Sequence, residues 1–365
     1  MARRIAVIMA GGAGERFWPV SRRDSPKQLL PLAGAESMLR VSVKRLIGSL
    51  IAPEDLYILT AERLTQRIRE ELPELPPENV IGEPEPRNTA PCLGLALAHT
   101  GFEGENAPVM GVLTADHFIG KLERFRSDLD AAYTEAEKGE NLVTIGIVPT
   151  RPDTGFGYLE TGEDLYECNG ARINRVKRFC EKPDAETAQS LLDAGNYLWN
   201  SGMFFWSNAT LFRAFEQSMP ELAEGVRKMR EGIVNSDGGD AVREVFPRLE
   251  KTSIDYGVME RASNVACVRS TFEWDDIGAW DAAERINEPD GAGNVIVGNA
   301  LTLEAKNNIL YSDIKNGAPM IAAYGVEDLI VVSSADAVMI CRRSDAQRVK
   351  EIVAALKAQG REELL

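Results

Sequence analysis

The chain has 365 residues, of which 44% are hydrophobic and 27% charged, an ordinary globular composition on a length that exceeds one comfortable core. Its net charge of −15 excludes general nucleic-acid binding, because nothing offsets phosphate repulsion over most of the surface, but leaves room for a small nucleotide in a local basic pocket. No apolar run approaches membrane-spanning length, and the basic start Ala2-Arg3-Arg4 precedes only a strand-length segment, so the expectation is a cytoplasmic protein without membrane contact.

In chain order, Ile5 to Ala10 is an apolar run bounded by glycine and predicts a buried strand. A helix is expected over Met38 to Ser49, a second strand over Asp55 to Thr60, a helix after Ala61, and a third strand at Asn79 to Pro84. Asn88 or Thr89 then caps an Ala/Leu-rich helix to about His99, with Pro91 tolerable in its first turn. A fourth strand ends at Asp116-His117, a helix covers Leu122 to Lys138, and a fifth strand follows from Asn141. This alternation predicts an α/β fold with a mostly parallel sheet and helices on both faces. Ligands of such sheets bind beyond the carboxyl ends of the strands, where Gly11, Glu83 and Asp116 all fall. From Thr154 the pattern is mixed, and beyond Gly291 it becomes short apolar segments separated by glycine and asparagine. Val297, Leu303 and Ile309 lie six apart, a hint of hexapeptide β-helix coils. The expected domains are 1–290 and 291–365, the second closing on an amphipathic helix over Ser344 to Gln359. The five cysteines are scattered without paired spacing, which favours reduced thiols. The two histidines argue against a histidine-rich metal centre.

The first strand empties into Gly11-Gly12-Ala13-Gly14, where missing side chains let backbone N–H groups approach an anion. Arg16 and Lys27 add positive charge to the same loop. A P-loop would need Gly-Lys-Ser/Thr, which is absent, and a dinucleotide fingerprint would need glycine where Phe17 stands. A bare glycine turn has no use for the ordered polar residues that follow, Ser21-Arg22 and Pro26-Lys27-Gln28 among them.

The segment GGAGERFWPVSRRDSPKQ closely resembles the signature of the sugar-nucleotidyltransferases, the pyrophosphorylases that join a sugar 1-phosphate to a nucleotide. Its Phe-Trp-Pro-x-Ser-Arg variant is similar to the guanylyltransferase branch, which acts on mannose 1-phosphate. The resemblance runs from about Ile5 to Trp280 through at least five motifs in the expected order. It implies a Rossmann-like domain with a small left-handed β-helix-like domain after it, and GTP and mannose 1-phosphate as substrates. It places Arg16 and Lys27 in catalysis, with Gly11, Gly12, Gly14 and Gln28 around the nucleotide. Glu83, Asn88 and Thr89, in a stretch that matches the guanylyltransferase pattern without a break, fall near the guanine.

Alone, an aspartate after a strand is a helix cap or turn former. Leu-Thr-Ala-Asp-His and Trp-Asp-Asp-Ile-Gly-Ala-Trp, however, resemble the two family motifs that carry the Mg²⁺-ligand aspartates. These land on Asp116 and Asp276, with Asp275 as the alternative second ligand, and two carboxylates from distant parts of a chain suit one hard divalent cation. Glu181-Lys182-Pro183 and Trp199-Asn200-Ser201-Gly202 resemble the sugar motifs: Glu181 and Asn200 would meet sugar hydroxyls, Lys182 the sugar phosphate, and Gly157 would bring backbone to the ring. The same chemistry on another hexose or nucleotide, and a non-catalytic nucleotide-sugar sensor, remain the alternatives. A second, phosphomannose isomerase domain has no room before Leu365, so a single activity is expected, and the exposed end of the small domain suggests a homodimer.

Overall fold

The glycine-bounded apolar run forms β1 (Arg4–Met9), followed by α1 (Met38–Leu46), β2 (Leu56–Ala61), α2 (Thr65–Glu71) and β3 (Val80–Glu83). Next come α3 (Thr89–Thr100), β4 (Val109–Thr114), the two-residue β5 (Phe118–Ile119), α4 (Leu122–Ala136) and β6 (Leu142–Ile147). A long hairpin, β7 (Tyr158–Cys168) and β8 (Ala171–Cys180), leads into α5 (Ala185–Ala194), β9 (Tyr197–Ser207), α6 (Asn208–Ser218), α7 (Pro220–Val234) and α8 (Gly238–Val245). After β10 (Val265–Arg269), β11 (Trp274–Asp275) and α9 (Ala283–Ile286) come the short strands β12 (Val295–Val297), β13 (Ala300–Leu303), β14 (Ile309–Ser312), β15 (Ile321–Tyr324), β16 (Leu329–Ser333) and β17 (Val338–Arg342), then α10 (Val349–Ala358). This computed structural model describes residues 2–32, 34–104, 107–235 and 238–365. No helix among them is long and apolar enough to cross a membrane.

Contacts group the chain into two units that interleave along the sequence. The first unit comprises 1–11, 43–114 and 119–273; the second comprises 12–42, 115–118 and 274–365. The physical reason lies in the second unit's core. Phe17, Trp18 and Val20 of the glycine loop and Trp280 are buried with Val295, Ile309 and Ile330 of the short strands and Val349 and Val353 of α10. Apolar area of that size buries favourably only in one common core.

The first unit carries a mixed nine-stranded sheet in the order β3-β2-β1-β4-β9-β6-β10-β8-β7. Strands β3, β2, β1 and β4 are parallel neighbours, with Val7 opposite Tyr57 and Val112. Between β4 and β6 runs β9, antiparallel to both. Because side chains alternate across a strand, Ile5, Val7, Phe204 and Trp206 share one core with α3, α6 and α7. Tyr133 of α4 covers the opposite face, its ring edge-on to Phe205 at 5.0 Å and its hydroxyl donating to the Ile5 carbonyl at 2.8 Å.

In the second unit the short strands stack in parallel rungs, Val295 against Ile309 against Ile330, and Ala300 against Ile321. These steps are not multiples of six, and Leu303 is exposed, so the six-residue spacing of Val297, Leu303 and Ile309 does not set the coil. A buried asparagine ladder does. The Asn308 amide nitrogen donates to Asn294 Oδ1 at 2.9 Å and to the Val326 carbonyl at 3.0 Å, and Asn308 Oδ1 accepts from the Leu329 N–H at 3.0 Å. Each rung thereby satisfies the backbone of the next, as buried polar groups require.

Candidate functional site

In the second unit, Lys27 opens a single turn, Lys27–Leu29, after Pro26. Its side chain is buried, and its Nζ donates to Asp116 Oδ2 at 2.7 Å and to the Asp276 carbonyl at 2.9 Å. The glycine loop wraps it closely. A Cβ on Gly14, whose φ is +61°, would lie 2.6 Å from Lys27 Cβ and 3.0 Å from Ser21 Oγ, so only glycine fits there. Ser21 Oγ holds the loop by donating to the Ala13 carbonyl at 2.8 Å. Arg16 follows in the turn Glu15–Phe17 and reaches the Gly278 carbonyl at 3.4 Å.

These groups line a cavity of about 380 Å³ whose walls include Gly14, Arg16, Phe17, Lys27, Asp116, His117, Asp276, Gly278 and Lys350. Gly12 and Gln28 are not among those walls, and Gln28 is buried. Burial pushes the Asp116 carboxyl up, but the ammonium of Lys27 and the imidazole of His117 outweigh it and hold the carboxyl below its ordinary range. His117 Nδ1 accepts the Trp274 indole N–H at 3.1 Å.

The adjacent aspartates part company. Asp275 is buried and ion-paired with Arg285, and its Oδ1 accepts the Ile277 N–H at 2.8 Å. It braces the turn, while Asp276 faces the cavity. Among the described residues no group of three or more His, Cys, Asp or Glu side chains could hold a metal ion alone. A pair of carboxylates still suits Mg²⁺, which keeps several positions for phosphate oxygens and water.

In the first unit a second polar cluster gathers where β7, β8 and β9 meet. A Cβ on Gly157 would collide with Glu181 Oε2, so the carboxylate rests against bare backbone. Lys182 pairs with Glu181 Oε1 and has a left-handed φ of +43°. Burial works against the Lys182 charge, but the bond to Glu181 outweighs it and raises the ammonium above its ordinary value. The Gly157 carbonyl accepts the Asn200 N–H at 2.8 Å. Asn200 Oδ1 accepts from Thr144 Oγ1 at 2.9 Å, and its Nδ2 donates to Asp255 Oδ1 at 3.0 Å, leaving one amide hydrogen for a ligand acceptor.

Asp255 is the residue that the motifs did not flag. It opens a π-helical turn, Asp255–Met259, a geometry common at functional sites. Burial and the neighbouring Glu181 push its carboxyl up to about 6. The predicted base-binding segment supports it: Thr89 Oγ1 accepts the Ile254 N–H at 2.8 Å, and Arg87 donates to the carbonyls of Leu249 and Pro247. Asn88 caps α3 with its side chain, accepting the Thr89 N–H at 2.8 Å. Glu83 is buried, accepts from Cys92 Sγ at 3.1 Å and lies 3.8 Å from where a Gly11 Cβ would be. Burial pushes it up to about 7. The five cysteines are unpaired.

Residues 5–292 match the family described as nucleotidyl transferase, and residues 298–356 match the MannoseP isomerase/GMP-like beta-helix domain. The mannose-1-phosphate guanylyltransferase of Escherichia coli K12 is 36% identical over 98% of this chain and 74% of its own length. The xanthan biosynthesis protein XanB of Xanthomonas campestris is 35% identical over 100% of this chain and 75% of its own. A crystal structure described as mannose-1-phosphate geranyltransferase from Thermus thermophilus superposes with a TM-score of 0.85 at 34% identity, covering 97% of this chain and 99% of that one.

Proposed function

We propose, for a chain that belongs to the nucleotidyl transferase family, that it transfers GMP from GTP to α-D-mannose 1-phosphate, forming GDP-mannose and pyrophosphate. The observation that carries this is Lys27, an ammonium held between Asp116 and the Asp276 carbonyl against a close-packed glycine loop. A non-bridging oxygen of the sugar phosphate attacks the α-phosphorus of GTP in line, and the P–O bond to pyrophosphate breaks. The nucleophile is already anionic, so no base is required. Catalysis rests on positioning and on neutralising charge at the reacting phosphorus. Lys27 meets that charge, and Arg16 the charge of the departing pyrophosphate. Lys182 holds the sugar phosphate, Glu181 accepts from sugar hydroxyls, and Asn200 is oriented by Thr144 and Asp255 to meet the same sugar.

Asp116 and Asp276 would hold Mg²⁺, which when bound supplies positive charge at the nucleotide phosphates. A homodimer in the cytoplasm is the accompanying proposal, favoured by the exposed Leu303 and Tyr324, which face each other in register on β13 and β15. The deciding experiment sets four nucleoside triphosphates against several hexose 1-phosphates, with and without Mg²⁺, and measures released pyrophosphate. Turnover restricted to GTP with mannose 1-phosphate and requiring Mg²⁺ is expected. Binding of GDP-mannose without turnover would overturn the assignment.

A further inference from the structure

We propose that Lys350, on the terminal helix α10, is a nucleotide-binding residue that grips the terminal phosphates of the triphosphate and then the pyrophosphate formed from them. This rests on the reaction given above. Lys350 stands in the cavity wall together with Arg16, Lys27, Asp116 and Asp276, although more than three hundred residues separate it from the glycine loop.

Its helix is fixed, not merely adjacent. Val349 and Val353 are buried in the core that contains Phe17 and Trp18. Lys357, two turns on, pairs with Glu15 at 2.7 Å. The Leu364 carbonyl accepts the Trp18 indole N–H at 2.8 Å and a guanidinium N–H of Arg22. Loop and helix are thus one packed piece, and the Lys350 stem starts from a rigid base.

The cations of the cavity differ in how far they are already committed. Lys27 is held by Asp116 and a carbonyl, and Arg16 leans on the Gly278 carbonyl. Lys350 makes no salt bridge with any described residue, and its side chain is exposed. An ammonium on a flexible four-carbon stem is a mobile point charge suited to a polyphosphate that must arrive intact and leave as a smaller piece. Lys27, anchored between the two aspartates, serves the phosphorus that reacts. Lys350 serves the phosphates that depart.

Calorimetric titration of inorganic pyrophosphate into the full chain tests this without turnover. Lys350→Ala should weaken pyrophosphate binding about tenfold, the worth of one charge-assisted hydrogen bond, and raise KM for GTP similarly. KM for mannose 1-phosphate should be little changed, and Lys350→Arg should restore most of the loss. Unaltered pyrophosphate affinity in Lys350→Ala would overturn the proposal. So would an equal rise in both KM values, or a lowered Tm without rescue by arginine, since those mark a merely structural role. If the wild-type chain failed to turn over GTP with mannose 1-phosphate while Lys350→Ala still lost pyrophosphate, the reaction assignment would fall and the Lys350 assignment would stand.

Discussion

At Lys27 one ammonium meets a carboxylate oxygen and a backbone carbonyl, so deleting it uncovers Asp116 and, in the proposed reaction, removes positive charge from the phosphorus under attack. Lys27→Ala should lower kcat by about 10²–10³-fold, as loss of one preorganised electrostatic group does elsewhere. KM for GTP should change far less, because the interaction strengthens in the transition state. Steady-state kinetics decide it, and equal turnover in the variant would remove Lys27 from catalysis. Glu83 offers a different residue-scale test. Burial raises its carboxyl from 4.5 to about 7, so the folded chain keeps a proton that the unfolded chain releases across that interval. Its stabilisation is complete below the lower value and is lost as pH rises through the upper one. Thermal unfolding of the wild type should therefore move to lower temperature as pH climbs across this window, and Glu83→Gln should flatten the trend. Parallel pH curves for the two proteins would refute it. The trend should not vanish, since burial also raises Asp128 and Asp255 to about 6.

Among the elements, the asparagine ladder has the plainest consequence. Asn308 is fully buried and joins three successive segments through its amide. Asn308→Ala strands the Leu329 N–H and takes one of two donors from both the Val326 carbonyl and Asn294 Oδ1, which keep the Lys306 and residue-308 backbone N–H groups, and should cost about 2 kcal/mol. Denaturant unfolding measures it, and a loss within error of zero would show that water replaces the ladder. The ladder also marks the limit of what periodicity reveals. Asparagines among short apolar runs suggest coils, yet the six-residue spacing misleads because rungs are set by which backbone groups need a partner. The parallel strands β1 to β4 were legible, each an apolar run closed by a turn signal. The place of β9 was not, since its insertion between β4 and β6 is decided by side-chain packing across the sheet, with Trp206 and Phe204 on one face and Phe205 on the other.

For the whole molecule, the decisive fact is that Phe17, Trp18 and Trp280 share a core with residues beyond 290. A chain cut after residue 290 should expose those aromatic rings, bind a hydrophobic dye, unfold without a cooperative transition and lose affinity for pyrophosphate. A sharp wild-type-like transition in the fragment would show that the core survives without the rungs. Composition changes at Gly291, which is why a boundary is read there. Residues that announce themselves by motif, such as Lys27, Asp116 and Glu181, were legible because their neighbours are unusual. Asp255 and Lys350 were not: an aspartate at a helix start and a lysine on an amphipathic helix look alike wherever they occur. The bond between Trp274 and His117 has one practical consequence. Three of the five tryptophans, Trp18, Trp274 and Trp280, belong to the unit that holds Arg16 and Lys27. The other two, Trp199 and Trp206, have buried indoles without hydrogen-bond partners and should emit as a constant blue background. Entry of a polyanion beside His117 should alter the emission of Trp274, so the unlabelled protein carries its own optical gauge of occupancy.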